Sequence, residues 1–156
     1  WTALIRAMRP LLWVKNLLIF LPLLLAQLYA DPVILTRAAL VFVAFSLCAS
    51  ATYLSDGMLD VDADRAEAGK VKRPFAVGDL RPITGVAAAV ALTVLGLGIG
   101  FTRAGCATGL VLIGYVAVRL VYSLWLKPFA ALGGVMRALF LVLRIVAGGA
   151  AIPLLP

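Results

Sequence analysis

Five apolar stretches, separated by polar breaks, dominate the hydrophobic pattern of this chain. A helix needs roughly 20 mainly apolar residues to cross a bilayer. The stretches cover residues 17–29, 33–54, 82–101, 105–126 and 131–152, and the first is long enough only if residues 11–14 join it. The pattern therefore predicts an all-α fold, a polytopic transmembrane helical bundle with about five spans.

The polar breaks predict how these spans are connected. The break at residues 102–104 is a turn too short for a domain, whereas residues 55–81 form a long polar segment that is predicted to be a loop. Residues 1–10, which end at Pro10, are predicted to lie at the membrane interface. We therefore expect residues 1–156 to form a single transmembrane domain.

Composition supports the membrane assignment. Hydrophobic residues make up 64% of the chain and charged residues 13%, and the mean hydropathy is +1.10. These values lie outside the range of soluble globular domains, so an integral membrane protein is predicted. The net charge of +7 does not indicate nucleic-acid binding, because the basic residues are scattered between apolar stretches and form no basic face with interleaved aromatics. No nucleic-acid partner is predicted.

The distribution of basic residues predicts the orientation. Only Arg37 and Arg103 fall on one side of the predicted spans. The other side, which includes segment 55–81, carries nine: Arg6, Arg9, Lys15, Arg65, Lys70, Lys72, Arg73, Arg81 and Lys127. Because lysine and arginine are enriched in cytoplasmic loops, segment 55–81 is predicted to face the cytoplasm.

Segment 55–81 also holds most of the acidic residues. Six of the seven in the chain lie between Asp56 and Asp79. If the preceding helix continues, the carboxylates of Asp56, Asp60 and Asp64 line one face, at positions i, i+4 and i+8, while Asp62 points away. Like charges on one helix face repel each other, so such a row needs metal ions or basic side chains to neutralise it. The row predicts a divalent-metal site.

Basic residues follow this row closely. Lys70, Lys72 and Arg73 come six to nine residues after Asp64. Carboxylates can hold Mg²⁺, Mg²⁺ can bridge phosphate oxygens, and nearby cations can neutralise the remaining phosphate charge. The segment therefore predicts a site for a phosphorylated substrate. The alternative is a solvated connection between two spans.

Further basic and polar residues lie in the last two spans. Arg119, Tyr122, Ser123 and Lys127 cluster near the end of the fourth, although snorkelling of Lys127 to the interface would also explain that residue. Arg137 and Arg144 are seven residues apart and share one face of the fifth span, which contains no acid. A buried arginine in a membrane is paired or functional. Its partner must come from another helix, a phosphate or a segment outside this chain.

Several motifs, taken in order, resemble the UbiA superfamily of intramembrane prenyltransferases. They are Lys15-Asn16, Phe45 to Tyr53, Asp60-Val-Asp-Ala-Asp64-Arg65, Lys72-Arg73-Pro74 to Gly78, Tyr122 to Lys127 and Leu143-Arg144 to Gly149. The chain is most similar to the branch that contains decaprenyl-phosphate phosphoribosyltransferase. The resemblance implies a bundle of nine helices around a lipid-accessible cavity, of which this chain supplies the first five. The second acidic motif of the family is then expected beyond Pro156, so that this piece of a longer protein would not be catalytically complete.

The resemblance also implies roles for individual residues. Asp60, Asp64 and Lys127 are expected to be catalytic, and Asp56, Asp60 and Asp64 to bind the Mg²⁺ cofactor. The expected substrate-binding residues are Lys15, Asn16, Lys70, Lys72, Arg73, Tyr122, Arg137 and Arg144. The implied partners are a polyprenyl phosphate or diphosphate lipid, a second small-molecule substrate and the membrane itself, with a bacterial plasma membrane as the expected location.

The implied function is a Mg²⁺-dependent transferase that acts on a polyprenyl phosphate or diphosphate. Phosphoribosyl transfer from phosphoribosyl diphosphate to a polyprenyl phosphate is one version, and prenyl transfer to an aromatic acceptor is the alternative. A third interpretation is a degenerate, non-catalytic protein that binds a polyprenyl lipid. It follows from three departures from the family pattern, in which Gly57 replaces an acid, Glu67-Ala68 replaces His-Pro, and Gly133 replaces an aspartate.

Overall fold

The computed structural model describes residues 1–152, which form helices joined by short turns. The α-helices are α1 (Thr2–Met8), α2 (Leu21–Leu25), α3 (Pro32–Leu59), α4 (Val61–Ala66), α5 (Pro74–Val77), α6 (Pro82–Ile99), α7 (Cys106–Val121) and α8 (Ala130–Ala151). A 3₁₀ helix covers Pro10–Phe20, and π-helical turns cover Gly100–Ala104 and Tyr122–Leu126.

Five helical stretches are long and apolar enough to cross a membrane. They are Thr2–Leu25, Pro32–Leu59, Pro82–Ala104, Cys106–Leu126 and Ala130–Ala151, and we number them as spans one to five. This confirms the predicted all-α architecture with five spans. The chain is an integral membrane protein.

Span one begins earlier than the sequence predicted. Residues 1–10 were expected to form an interfacial segment, but Thr2–Met8 is helical and belongs to the span. A short break at Arg9 separates α1 from the 3₁₀ helix that follows, and the interfacial location of residues 1–10 stays a prediction. Arg9 adopts a left-handed conformation with φ 50°, and Pro10 then occupies the start of the 3₁₀ helix, where its missing N–H costs nothing.

Helix α3 lies at the centre of the bundle. Every residue from Cys48 to Leu54 is buried, so this part of the helix is covered on all sides. Small residues here permit close helix contact. At Gly96 of α6, an added Cβ would lie only 2.6 Å from Cys48 Sγ and 2.8 Å from the Ala44 carbonyl oxygen. Helix α6 therefore packs directly against the α3 backbone.

The two ends of α3 are well defined. At its start, the Asp31 carboxylate accepts hydrogen bonds from the backbone N–H groups of Val33 (2.8 Å) and Ile34 (3.3 Å), as an N-cap does. At its end, only Asp60 separates α3 from α4. Segment 55–81 is therefore not simply a loop, since its first part extends α3 and continues as α4.

The hydrogen-bond pattern of a helix continues through this junction. The Asp60 N–H donates to the Asp56 carbonyl (2.9 Å), and the Asp64 N–H donates to the Asp60 carbonyl (2.8 Å). The predicted helical register of the three carboxylates is confirmed. Asp62 is exposed, as expected from its place in that register.

An aromatic core joins spans two, four and five. The ring centroids of Phe45 and Tyr115 lie 4.4 Å apart, and those of Tyr115 and Phe140 lie 5.9 Å apart. Span five also packs tightly against span one, because a Cβ at Gly148 would overlap the Ile19 carbonyl oxygen. These contacts hold the polar residues of spans one and five next to each other.

Candidate functional site

A cavity of about 370 Å³ opens where α4 meets the end of span four. We call it the mouth cavity. Its polar lining consists of Asp60, Asp64, Lys70, Ser123 and Lys127. The cavity thus brings together two carboxylates and two lysines that the sequence predicted to share a site.

Each carboxylate of the predicted row is paired with a different cation. Lys127 Nζ bonds to Asp60 Oδ2, and Arg73 Nη1 lies 3.0 Å from Asp64 Oδ1. Asp64 is buried, with 3% of its surface exposed. Basic side chains therefore relieve the repulsion within the row, and Lys127 does more than snorkel.

Asp56 faces span four instead of the mouth cavity. Its Oδ2 accepts a hydrogen bond from Arg119 Nη2 (2.7 Å), and its Oδ1 accepts one from the Ser123 hydroxyl. The carboxylate is fully engaged by these two side chains. The predicted polar cluster at the end of span four is therefore real, and Asp56 is its partner.

The arrangement suits Mg²⁺ at only part of the predicted row. Within residues 1–152, no three His, Cys, Asp or Glu side chains form a ready-made metal cluster. Mg²⁺, however, often binds through one or two carboxylates and completes its shell with waters and substrate phosphates. Asp60 and Asp64 meet that requirement because both line the mouth cavity, whereas Asp56 does not line it.

A second cavity, of about 380 Å³, lies between spans one, two, four and five. Five cations line it: Arg9, Lys15, Arg119, Arg137 and Arg144. No acidic side chain is among its described lining residues. We call it the cation cavity.

Arg144 is the most deeply buried of these cations, with 4% of its surface exposed. Its Nε donates to Asn16 Oδ1 (2.7 Å) and its Nη1 to the Phe140 carbonyl (2.7 Å). Asn16, which is 1% exposed, donates in turn to the Ser46 hydroxyl (2.9 Å). Neutral oxygens thus orient the guanidinium and leave its positive charge uncompensated.

The model of the UbiA prenyltransferase family matches residues 16–154, which is nearly the whole chain. The chain belongs to this family. Enzymes of the UbiA family are generally metal-dependent. The resemblance inferred from the motifs is therefore confirmed.

Several bacterial relatives extend this comparison. Decaprenyl-phosphate phosphoribosyltransferase of Mycobacterium tuberculosis is 35% identical over 151 residues, covering 94% of this chain and 50% of the relative. The protein of the same name from Corynebacterium glutamicum is 36% identical over 152 residues, covering 94% and 45%. An uncharacterised protein, y4nM, of Sinorhizobium fredii is 35% identical over 136 residues, covering 87% and 26%. The chain thus spans half or less of the length of these relatives.

The expected UbiA site residues fall into three groups in the structure. Asp60, Asp64, Lys70 and Lys127 line the mouth cavity, with Arg73 bonded to Asp64. Lys15, Arg137 and Arg144 line the cation cavity, with Asn16 bonded to Arg144. Lys72 is exposed, and Tyr122 is half-buried with its ring 6.1 Å from that of Phe140; neither lines a cavity described above. Their expected roles stay predictions.

Sequence reasoning missed two residues of the cation cavity. Arg9 was interpreted as an interfacial anchor, but its guanidinium carbon lies 5.7 Å from the centre of the Tyr53 ring inside the bundle. The guanidinium carbon of Arg119 also lies 5.5 Å from the centre of the Tyr53 ring. Both contacts are cation–π contacts, which need an aromatic face and have no fixed spacing in sequence. No signal in the local pattern could have predicted them.

The structure explains why glycine occupies position 57, where the family motif places an acid. A Cβ at Gly57 would lie 2.9 Å from Phe75 Cδ2, closer than real side chains approach. Phe75 is buried, so its ring has little room to move. Position 57 faces this ring and does not line the mouth cavity.

Proposed function

We propose that this chain is a substrate-binding part of a UbiA-type transferase that moves a phosphoribosyl group from phosphoribosyl diphosphate to a polyprenyl phosphate. The observation that carries the proposal is the presence of two separate polar cavities. One combines carboxylates with lysines, and the other is lined by cations, with no acid among its described lining residues. A transferase whose two substrates are both anions needs two such sites.

The mouth cavity suits the diphosphate donor. Asp60 and Asp64 would hold Mg²⁺ there, and this ion would supply charge neutralisation for the diphosphate. Lys70 and Lys127 line the same cavity and would contact the phosphate oxygens directly. Fixed cations that stabilise a leaving group as it gains charge are a common source of catalysis.

The chemistry is a substitution at the ribose carbon. The bond between that carbon and the diphosphate oxygen breaks, and its electron pair leaves with the diphosphate. A phosphate oxygen of the lipid forms the new bond to the same carbon. Lys127 would stabilise the negative charge that the diphosphate gains as it leaves. Its bond to Asp60 already holds Lys127 at the mouth cavity.

The names of the mycobacterial and corynebacterial relatives favour phosphoribosyl transfer over prenyl transfer to an aromatic acceptor. The cation cavity supports the same choice. A phosphate monoester carries a charge of about −1.5 to −2 at neutral pH, which matches several cations better than a single aromatic carboxylate would.

The test is turnover by the full-length protein with phosphoribosyl diphosphate and a short polyprenyl phosphate. We expect Asp60→Asn and Asp64→Asn each to lower turnover by about 100-fold or more, as loss of a group that stabilises a transition state does. Asp62→Asn is the matched control, because Asp62 belongs to the same helix but is exposed.

Equal activity in all three variants would exclude Asp60 and Asp64 as metal ligands. Turnover of a prenyl diphosphate with an aromatic acceptor, in place of phosphoribosyl transfer, would support the alternative transferase. No turnover with any donor would support a lipid-binding protein.

A further inference from the structure

We propose that the cation cavity binds the phosphate monoester headgroup of a lipid, and that it does so without a metal ion. This inference rests on the proposed function, in which the lipid phosphate is the acceptor. The acceptor headgroup and the Mg²⁺-bound donor would therefore occupy different cavities. The cavity volume of about 380 Å³ lies in the range of small-molecule sites, about 300–1,000 Å³.

The charge of the cavity points to an anion. Among its cations, only Arg119 forms a salt bridge to an acid within residues 1–152. Arg9, Lys15, Arg137 and Arg144 make no such pair in the part of the chain that the structure describes. Charges of one sign in a low-dielectric setting repel each other strongly. An entering dianion would remove that repulsion.

Arg144 lies at the most buried end of the cation cavity. It is buried inside the membrane-spanning part of the bundle, and buried arginines in membranes are costly unless they pair. Its hydrogen bonds to Asn16 and Phe140 are made to neutral oxygens, which orient the guanidinium without neutralising it. The aromatic faces of Phe45 and Tyr115, at 5.3 and 5.8 Å, hold it in place. A fixed, charged fork of this kind suits a phosphate.

The absence of acid from the described lining argues against a metal-bound ligand. A diphosphate donor usually binds with Mg²⁺, which requires carboxylates, and those line the mouth cavity instead. The cation cavity can neutralise its ligand with side chains alone. A phosphate monoester has the smaller charge that such direct pairing can satisfy.

The apolar part of the lining indicates that the phosphate carries a chain. Leu12, Phe140 and Leu141 complete the wall of the cavity. An adjoining apolar groove of about 410 Å³ shares Arg9 and Leu12 with it. Arg9, whose backbone is left-handed with φ 50°, lines both the cavity and the groove. Such strained residues recur at ligand sites.

The experiment is calorimetric titration of the full-length protein with farnesyl phosphate in EDTA. Farnesol, inorganic phosphate and metal-free phosphoribosyl diphosphate are titrated in parallel. We expect farnesyl phosphate to bind at least ten times more tightly than each of the other three, because it alone combines a phosphate monoester with an apolar chain.

Variants locate the binding. Arg144→Met should weaken farnesyl phosphate binding by about 10-fold to 100-fold, as expected for loss of a charged hydrogen-bond donor. Arg137→Met should weaken farnesyl phosphate binding several-fold. Because Arg137 is exposed, this substitution should leave the fold intact even if Arg144→Met disturbs it. Arg103→Met is the control, since Arg103 is an exposed arginine in the π-helical turn that ends span three and lines neither cavity.

The outcomes separate this inference from the proposed function. Farnesyl phosphate binding that is retained in Asp60→Asn and Asp64→Asn supports separate cavities, even if neither variant nor the native protein shows turnover. Binding that requires Mg²⁺, or that is lost in these two variants, would overturn the inference. If inorganic phosphate binds as tightly as farnesyl phosphate, the cavity is not a lipid site. If metal-free phosphoribosyl diphosphate binds as tightly as farnesyl phosphate, the cavity is a donor site.

Discussion

Asp60 and Lys127 form a contact that any metal ion at the mouth cavity must disturb. The carboxylate of Asp60 bonds to the Lys127 ammonium. Mg²⁺ at Asp60 would displace this ammonium, which is then free to contact a phosphate. Under the proposed function, the same lysine would compete with the metal and would also assist the anionic substrate.

This competition predicts effects of opposite sign. In Lys127→Met, we expect the affinity for Mg²⁺ alone to rise by about two- to five-fold, since a partly exposed ion pair contributes little energy. The affinity for phosphoribosyl diphosphate measured with Mg²⁺ should fall. Arg81→Met is the control, because Arg81 is exposed and lines neither cavity. A lower affinity for Mg²⁺ alone in Lys127→Met would contradict the competition.

At the scale of helices, glycines determine how closely neighbouring spans approach. Gly148 and Gly149 are adjacent in α8, but only Gly148 faces another backbone. A Cβ at Gly148 would overlap the Ile19 carbonyl, whereas a Cβ at Gly149 would meet nothing within 4 Å among residues 1–152. The contact lies three residues along the chain from Asn16, which orients Arg144.

The pair makes a matched stability experiment. Gly148→Ala should lower the free energy of unfolding by about 1–3 kcal/mol, because the backbone of span one cannot move aside without loss of packing. Gly149→Ala should raise it by about 0.5–1 kcal/mol, as alanine replaces glycine inside a helix. Thermal unfolding in detergent measures both. Equal melting temperatures for the two variants would show that spans one and five are not in close contact.

Much of the helical arrangement could be predicted from the sequence. The length of the apolar stretches indicated five spans, and the spacing of Asp56, Asp60 and Asp64 indicated one helical face. Both depend only on local periodicity. The extension of α3 beyond residue 54 was considered only as a condition, because a run of polar residues does not by itself distinguish a continued helix from a loop.

The pairing within the candidate site could not be predicted in the same way. The bond between Asn16 and Arg144 joins residues 128 apart in the chain, and that between Asp56 and Arg119 joins residues 63 apart. Such contacts depend on how the spans pack against each other. The sequence indicated that Arg144 needed a partner on another helix or a phosphate, and packing determined that Asn16 is its neighbour.

At the scale of the whole molecule, the orientation in the membrane is open to a direct test. Span three begins near the acidic segment and ends at the turn before Cys106, so this cysteine marks the opposite end of the bundle. Cys106 is exposed and Cys48 is buried. The chain therefore carries its own reporter of orientation.

If the acidic segment faces the cytoplasm, a membrane-impermeant maleimide should label Cys106 in right-side-out vesicles and not in sealed inside-out vesicles. The excess of lysine and arginine on the acidic side is the physical basis of this expectation. Cys106→Ala should abolish the signal. Labelling confined to inside-out vesicles would reverse the orientation.

Arg119 connects the two cavities indirectly. It lines the cation cavity and bonds to Asp56, which also accepts a hydrogen bond from Ser123 of the mouth cavity. The Arg119 guanidinium lies over the rings of Tyr53 and Phe140, at 5.5 and 5.0 Å, while its buried Nε has no hydrogen-bond partner within residues 1–152. A ligand that draws this group to one side changes what the other side can bind. Thermodynamic linkage makes such an effect reciprocal. An inhibitor directed at the lipid headgroup site should therefore also shift the affinity of the donor site, and each site can report on occupancy of the other.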